Sequence, residues 1–230
     1  MDRYSEITTK NNKREIVLLK SFPCKWGKCS FCDYIADNTN DIDEMEKINF
    51  EILEKVTGKY KVLEVINSGS CFELSQNTLD RIKEIIIDKK IERLFLESHY
   101  IYKNKIDKMR KFFEIPITFK IGVETFDYDF RNNVLKKHAT FKTVEELKEN
   151  FDSPCMMVGI KGQTKEMIDK DIDIVLNNFS HATINVYVNN TTDIKRDDKL
   201  VEWFCDKYKF LDDNENIEVL YNNTDFGVGD

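Results

Sequence analysis

The chain lacks an apolar run of the length needed to cross a bilayer, about 20 residues, and its opening stretch, MDRYSEITTKNNKRE, holds no apolar segment of the signal-peptide kind. A cytoplasmic location without membrane partners is therefore expected, in a compartment where thiols stay reduced. Repeats, low-complexity tracts and Pro/Gly-rich linkers are also missing, so residues 1–230 read as a single domain. Basic charge is short. Lys and Arg number 35 against 42 Asp and Glu, giving a net charge of -7, and the largest basic cluster, Lys136, Lys137 and His138, is small. A protein that grips a phosphate backbone presents a basic face. The expected partner is thus a small molecule rather than an intact nucleic acid.

What is present is ordinary for a soluble globular protein, with 41% apolar and 33% charged residues. Short β-rich apolar runs alternate with longer amphipathic ones. Strands are predicted over 15–20, 62–66, 93–97, 117–123, 155–160 and 182–188, with a seventh over 217–221. Helices are predicted over 41–56, through Leu79 to Ile86, and over 102–113, 128–137, 164–177 and 197–208. A shorter one starts at Thr143, with Glu146 three residues on. Six βα units imply an α/β fold, a partial (β/α)6 barrel with parallel strands and outer helices. In such a sheet ligands collect at the C-terminal strand ends.

The stretch over residues 21–34, SFPCKWGKCSFCDY, follows the first strand and holds Cys24, Cys29 and Cys32. Gaps of four and two residues let three thiolates converge on one metal centre. A closed zinc or ferredoxin-type site needs a fourth ligand. Either that ligand comes from Cys71, Cys155, Cys205 or a histidine, giving a zinc-stabilised binding or scaffold protein, or one coordination position stays open. In a reducing compartment six cysteines are not a disulfide framework.

This loop resembles the cluster loop of radical S-adenosylmethionine (SAM) enzymes, with Phe31 as the aromatic residue before the last cysteine. The first gap is one residue longer than the family's usual three, which implies a bulge over residues 25–28 with Gly27 permitting the turn. Trp26 within it either shields the cluster or anchors the loop. The resemblance implies a 4Fe-4S cluster on Cys24, Cys29 and Cys32, SAM chelating the open iron, and an external one-electron reductant of the flavodoxin or ferredoxin kind. It implies cleavage of the sulfonium C–S bond and hydrogen removal from the substrate by a 5′-deoxyadenosyl radical. Three further segments fall at successive strand ends as the family would place them. Ser68, Gly69 and Ser70 take the place of the turn that meets the cofactor amino group. Glu124, followed by Arg131, takes that of the ribose partner, and Gly159 and Ile160 that of the adenine platform. Tyr34 and Val188 complete the implied cofactor contacts. Glycine serves equally in a plain strand-to-helix turn, and a glutamate at a strand end serves equally as a solvated rim residue.

The Phe-Pro-Cys opening and the tryptophan make the loop most similar to members acting on 7-deazaguanine compounds, in the short queuine lyase type. That resemblance implies cleavage between the aminomethyl nitrogen of queuine and its cyclopentenediol ring, releasing 7-aminomethyl-7-deazaguanine in queuosine precursor salvage. Another small molecule or a modified tRNA base is the alternative substrate. A buried guanine-like ring needs a carboxylate and further polar partners for its edge. Candidates are Asn67, Glu97, Asn189, Asn190, Asp225, Phe226 and Asp230, with the tail 222–230 as a lid. Glu97 and His99 are the candidate catalytic groups, His99 being equally a structural hydrogen-bonder.

Overall fold

The computed structural model describes residues 3–8 and 12–222. Asp225, Phe226, Asp230 and the expected lid beyond residue 222 lie outside the described residues. Among the described residues eight strands stand in the sheet in chain order, the order a partial (β/α)6 barrel requires. The chain divides into two compact units, residues 1–27 with 34–119 and residues 28–33 with 120–230.

In the first unit β2 (Arg14–Leu19) pairs in parallel with β3 (Val62–Asn67), and β3 with β4 (Arg93–Glu97). Every residue of β2 is buried, as a strand covered on both faces must be. The unpredicted β1 (Tyr4–Ile7) pairs antiparallel with β2. Its four residues, YSEI, are too few and too polar to announce a strand. Helices α1 (Ile42–Leu53), α2 (Gln76–Asp88) and α3 (Ile106–Phe113) follow the strands. Asp41 Oδ1 accepts from the Glu44 amide at 3.0 Å and Ser75 Oγ from that of Thr78 at 3.1 Å, caps worth about 1 kcal/mol each. The predicted helix over 102–113 opens instead as a 3-10 turn, Tyr100–Lys105.

Charge is buried at the start of β2 and β3. Arg14 Nε donates to Glu64 Oε2 at 2.5 Å, and its guanidinium lies 5.1 Å from the Phe95 ring centroid. Glu15 accepts from Tyr4 Oη and from the amides of Thr57 and Gly58 at 2.7–2.8 Å. A buried carboxylate persists only when its lone pairs are matched in this way.

Strand β5 (Ile117–Glu124) begins in the first unit and ends in the second. There β6 (Ser153–Val158), β7 (Ala182–Val186) and β8 (Ile217–Leu220) pair in parallel, accompanied by α4 (Val144–Lys148), α5 (Lys165–Asn178) and α6 (Asp198–Lys207). The fifth predicted strand, 155–160, ends as β6 at Val158, two residues before its predicted limit, where Gly159 takes φ +89°. The helix predicted over 128–137 is replaced by a π-helical turn, Phe130–Val134. Its cause is Arg131, buried to 1% exposure. Its guanidinium donates to the carbonyls of Thr125, Ala139 and Phe141 at 2.7–2.9 Å, so the chain must wrap around it.

Candidate functional site

In the first unit the chain leaves β2 under tight control. Asn49 on α1 accepts from the Lys20 amide at 2.8 Å and donates to the Lys20 carbonyl at 2.9 Å, fixing the direction in which residues 21–27 depart. Asn38 then accepts from the Cys24 amide at 3.3 Å and donates to the Ser68 carbonyl at 3.1 Å. One side chain thereby joins the first cysteine to the turn after β3.

Glu73, 6% exposed, makes a second junction there. Its Oε1 accepts from the Lys25 amide and from Tyr102 Oη, both at 2.9 Å, and its Oε2 accepts from the Ser70 amide. Burial and the nearby Glu73 carboxylate raise the Tyr102 phenol above its ordinary range, so it stays a donor. Glu73 was not among the expected site residues, yet its signal was in the sequence: Ser70-x-x-Glu73 is a capping box, and both of its bonds are present. Ser70 also bonds Ser98 at 3.1 Å, and Ser68 Oγ donates to Asp37 at 2.9 Å.

The turn itself needs its glycine. A Cβ on Gly69 would stand 3.4 Å from Cys24 Cβ and 2.6 Å from Glu73 Oε2, closer than real Cβ atoms come. Immediately before it, Asn67 donates from Nδ2 to the Ser70 carbonyl at 3.0 Å. Asn67 is 7% exposed, and its Oδ1 has no hydrogen-bond partner among the described residues. An unsatisfied buried acceptor is rare and costs about 1–3 kcal/mol unless a ligand N–H meets it.

Gly27 has the positive φ, +54°, that the longer first gap calls for. Trp26 stacks on His99 with ring centroids 6.4 Å apart and planes at 20°, so it anchors the loop. His99 Nδ1 accepts from the Ile101 amide at 3.2 Å and caps the 3-10 turn, the structural role open to it from the sequence. Glu97 closes β4, and Tyr34 opens a 3-10 turn, Tyr34–Asp37.

The second unit holds residues 28–33 by apolar packing and hydrogen bonds together. Phe31, 5% exposed, joins Phe130, Leu135, Met157, Ile160 and Tyr187 in a buried cluster against which Cys29 and Cys32 pack. The Cys32 amide bonds the Cys29 carbonyl at 3.3 Å, which sets the two thiols on one turn. Ser30 donates from its amide to Leu135 at 3.0 Å and from Oγ to Val134 at 2.8 Å.

Several expected ligand contacts have other tasks here. Asn190 donates to the Phe31 carbonyl at 2.7 Å and to Asp33 at 3.2 Å, while its Oδ1 accepts from Thr192 and Tyr187, so it holds the loop. Asn189, exposed, accepts from the Arg196 amide at 2.8 Å. Arg131 is consumed by the carbonyls named above. Gly159 is required because a Cβ would collide with Val201 on α6. Ile160 is fully buried in the Phe31 cluster, and Val188, half-buried, follows β7. Glu124 is 4% exposed with φ +65°, and its Oε1 accepts from Lys137 Nζ at 2.7 Å. A Cβ on Gly122 would lie 2.5 Å from both of those groups, so this glycine keeps the ion pair in place.

None of the six cysteines forms a disulfide, and Cys24, Cys29 and Cys32 are partly exposed. Cys71 is completely buried, and burial raises its thiol well above the ordinary range. Cys155 is buried on β6.

The chain matches the model of the radical SAM superfamily over residues 24–175, more than half its length. It is similar over 100% of both chains to the solved queuine lyase from Clostridium spiroforme bound to SAM and queuine, at 59% identity and a TM-score of 0.97. Streptococcus suis SuiB shares the fold at 18% identity and a TM-score of 0.55, over 89% of this chain and 48% of that one. An uncharacterized protein of Methanocaldococcus jannaschii is 24% identical over 63% of this chain, which spans 44% of that curated relative's length. A three-cysteine loop after the first parallel strand, carried on an α/β sheet of this order, accords with these likenesses: the chain belongs to the radical SAM superfamily.

Proposed function

We propose that this chain is a radical SAM lyase that cleaves queuine to 7-aminomethyl-7-deazaguanine, residues 1–230 acting as one catalytic domain. The observation that carries the reading is its full-length likeness, at 59% identity, to a queuine lyase. Cys24, Cys29 and Cys32, three free and partly exposed thiols, would hold the 4Fe-4S cluster of the superfamily, and three protein ligands would leave one iron for SAM. The residues present fit SAM as well. Gly69 keeps the turn beside Cys24 free of a side chain, and the unsatisfied Asn67 Oδ1 awaits an N–H donor.

When bound, the reduced cluster and SAM supply the radical that removes a hydrogen atom from the substrate. The protein's share is holding, aiming and excluding water. Asn38 and Glu73 set the position of Cys24 and of the turn at residues 68–70 through the bonds described above. Glu124, buried and fixed by Lys137, offers its second carboxylate oxygen to a ribose hydroxyl. Ile160, fully buried, packs behind Phe31 and steadies the cysteine loop. Glu97 faces the substrate from the end of β4. The low-potential electron comes from a flavodoxin or ferredoxin. Among the described residues no helix is long and apolar enough to cross a membrane, and we place the enzyme in the cytoplasm with a free base, not intact RNA, as substrate.

Anaerobically reconstituted protein tests the reading. We expect about four irons per chain and, with SAM, reductant and queuine, 7-aminomethyl-7-deazaguanine in the mass spectrum. SAM cleavage of equal rate with and without queuine, and no deazaguanine product, would remove the substrate assignment and leave the family standing.

A further inference from the structure

The strands of the second unit carry a set of polar groups that neither the cysteine loop nor the cofactor segments use. Parallel register sets Lys120 beside Ser153, and Gly122, Cys155, Thr183 and Glu218 side by side one level on. Because side chains alternate along a strand, these positions share one face. The alternate positions, Ile121, Met156, Ala182, Ile184 and Val186, are apolar and buried to 1% exposure or less. One face is therefore a conventional core, and the other carries polar groups that burial penalises unless they are matched.

Some of those groups have near neighbours within the protein. Ser153 Oγ and His181 Nδ1 lie 2.6 Å apart, and His181 Nε2 stands 3.5 Å from Glu218 Oε1. Thr183 is not matched. It is 2% exposed, and its Oγ1 has no hydrogen-bond partner among the described residues. Its register partner Glu218, with a side chain 14% exposed, stands next to it. A carboxylate accepts hydrogen bonds and an uncommitted hydroxyl has one to donate. Adjacent strands bring the two about 4.8 Å apart, the scale of one edge of a purine-like ring.

We propose that Glu218 and Thr183 read the guanine-like edge of the substrate. The Glu218 carboxylate accepts from the ring N–H and the exocyclic amino group, and the Thr183 hydroxyl donates to the ring carbonyl. His181, bonded to Ser153, stands beside Glu218. The inference rests on the 7-deazaguanine reading of function and names the residues that would select such a ring.

Calorimetric titration of the cluster-loaded protein, without reductant, tests it. The ligands are queuine and its analogue lacking the exocyclic amino group. Wild-type protein should prefer queuine. Glu218→Gln should weaken queuine binding on the order of 100-fold and erase the preference, because an amide cannot accept both donors. Thr183→Val should weaken both ligands roughly 10-fold. Iron content and the thermal transition report folding, and if Glu218→Gln fails to fold, Thr183→Val decides. Well-folded variants that bind both ligands as wild type does would overturn the inference while leaving the lyase reading intact. Wild-type protein that binds neither ligand would overturn both.

Discussion

The two ends of the cysteine loop are held by different physics. At Cys24 the grip is polar: amides and hydroxyls converge on Asn38 and on the buried carboxylate of Glu73. At Cys29 and Cys32 an apolar cluster is added to the hydrogen bonds: Phe31 sits among Phe130, Leu135, Met157, Ile160 and Tyr187, while Ser30 and Asn190 bond the same turn. Hydrogen bonds fix direction, which suits the end that must meet the turn at Gly69. Apolar packing fixes position without demanding charge, which suits a pair of thiols on one tight turn.

Replacing Cys24, Cys29 or Cys32 singly with alanine should break both ends alike, with loss of the brown cluster chromophore and of all product, whereas Cys205→Ala should keep both. Phe31→Ala should break only the apolar end, costing about 3–5 kcal/mol of stability as a large-to-small core change, read as a lowered thermal midpoint with reduced iron content. Glu73→Gln should break only the polar end. It leaves one of three donors unmatched and removes charge-assisted bonds, for about 2 kcal/mol, and it should raise the KM for SAM more than Phe31→Ala does at equal iron loading.

A further effect is read through pH. Asp171 on α5 accepts from the Phe126 amide at 2.7 Å, steadying the turn that precedes the π-helical segment. Burial outweighs its hydrogen bonds and pushes the carboxyl from 3.8 to about 7. The folded state therefore holds this proton more tightly than the unfolded chain does. Stability associated with it is present below pH 3.8 and is lost as pH rises to about 7, by at most about 1.4 kcal/mol per pH unit. Asp171→Asn, which keeps the acceptor, should flatten that slope in denaturant midpoints measured across the window. A variant with the wild-type slope would show that Asp171 is not the group responsible.

Much of the architecture was legible because strands such as VLEVI and RLFLE are compact apolar runs between longer amphipathic segments. The three-cysteine loop was legible from spacing alone. What escaped depended on partners distant in the chain. The π-helical turn exists because Arg131 binds carbonyls six to ten residues away, and nothing in FRNNV announces it. Asn190 read as a substrate ligand because of its place after β7, but it serves Phe31 from 159 residues away. Glu73 was readable from its capping box, yet its bonds to Lys25 and Tyr102 were not. Thr183 and Glu218 lay inside strands whose polar residues looked incidental until register set them side by side.

The central claim is that three thiols leave one iron open for SAM. Electron paramagnetic resonance of the reduced, anaerobic protein before and after adding SAM tests it most directly. The account predicts a 4Fe-4S signal whose g-values move when SAM binds. A signal indifferent to SAM, or protein carrying stoichiometric zinc and no iron, would contradict it.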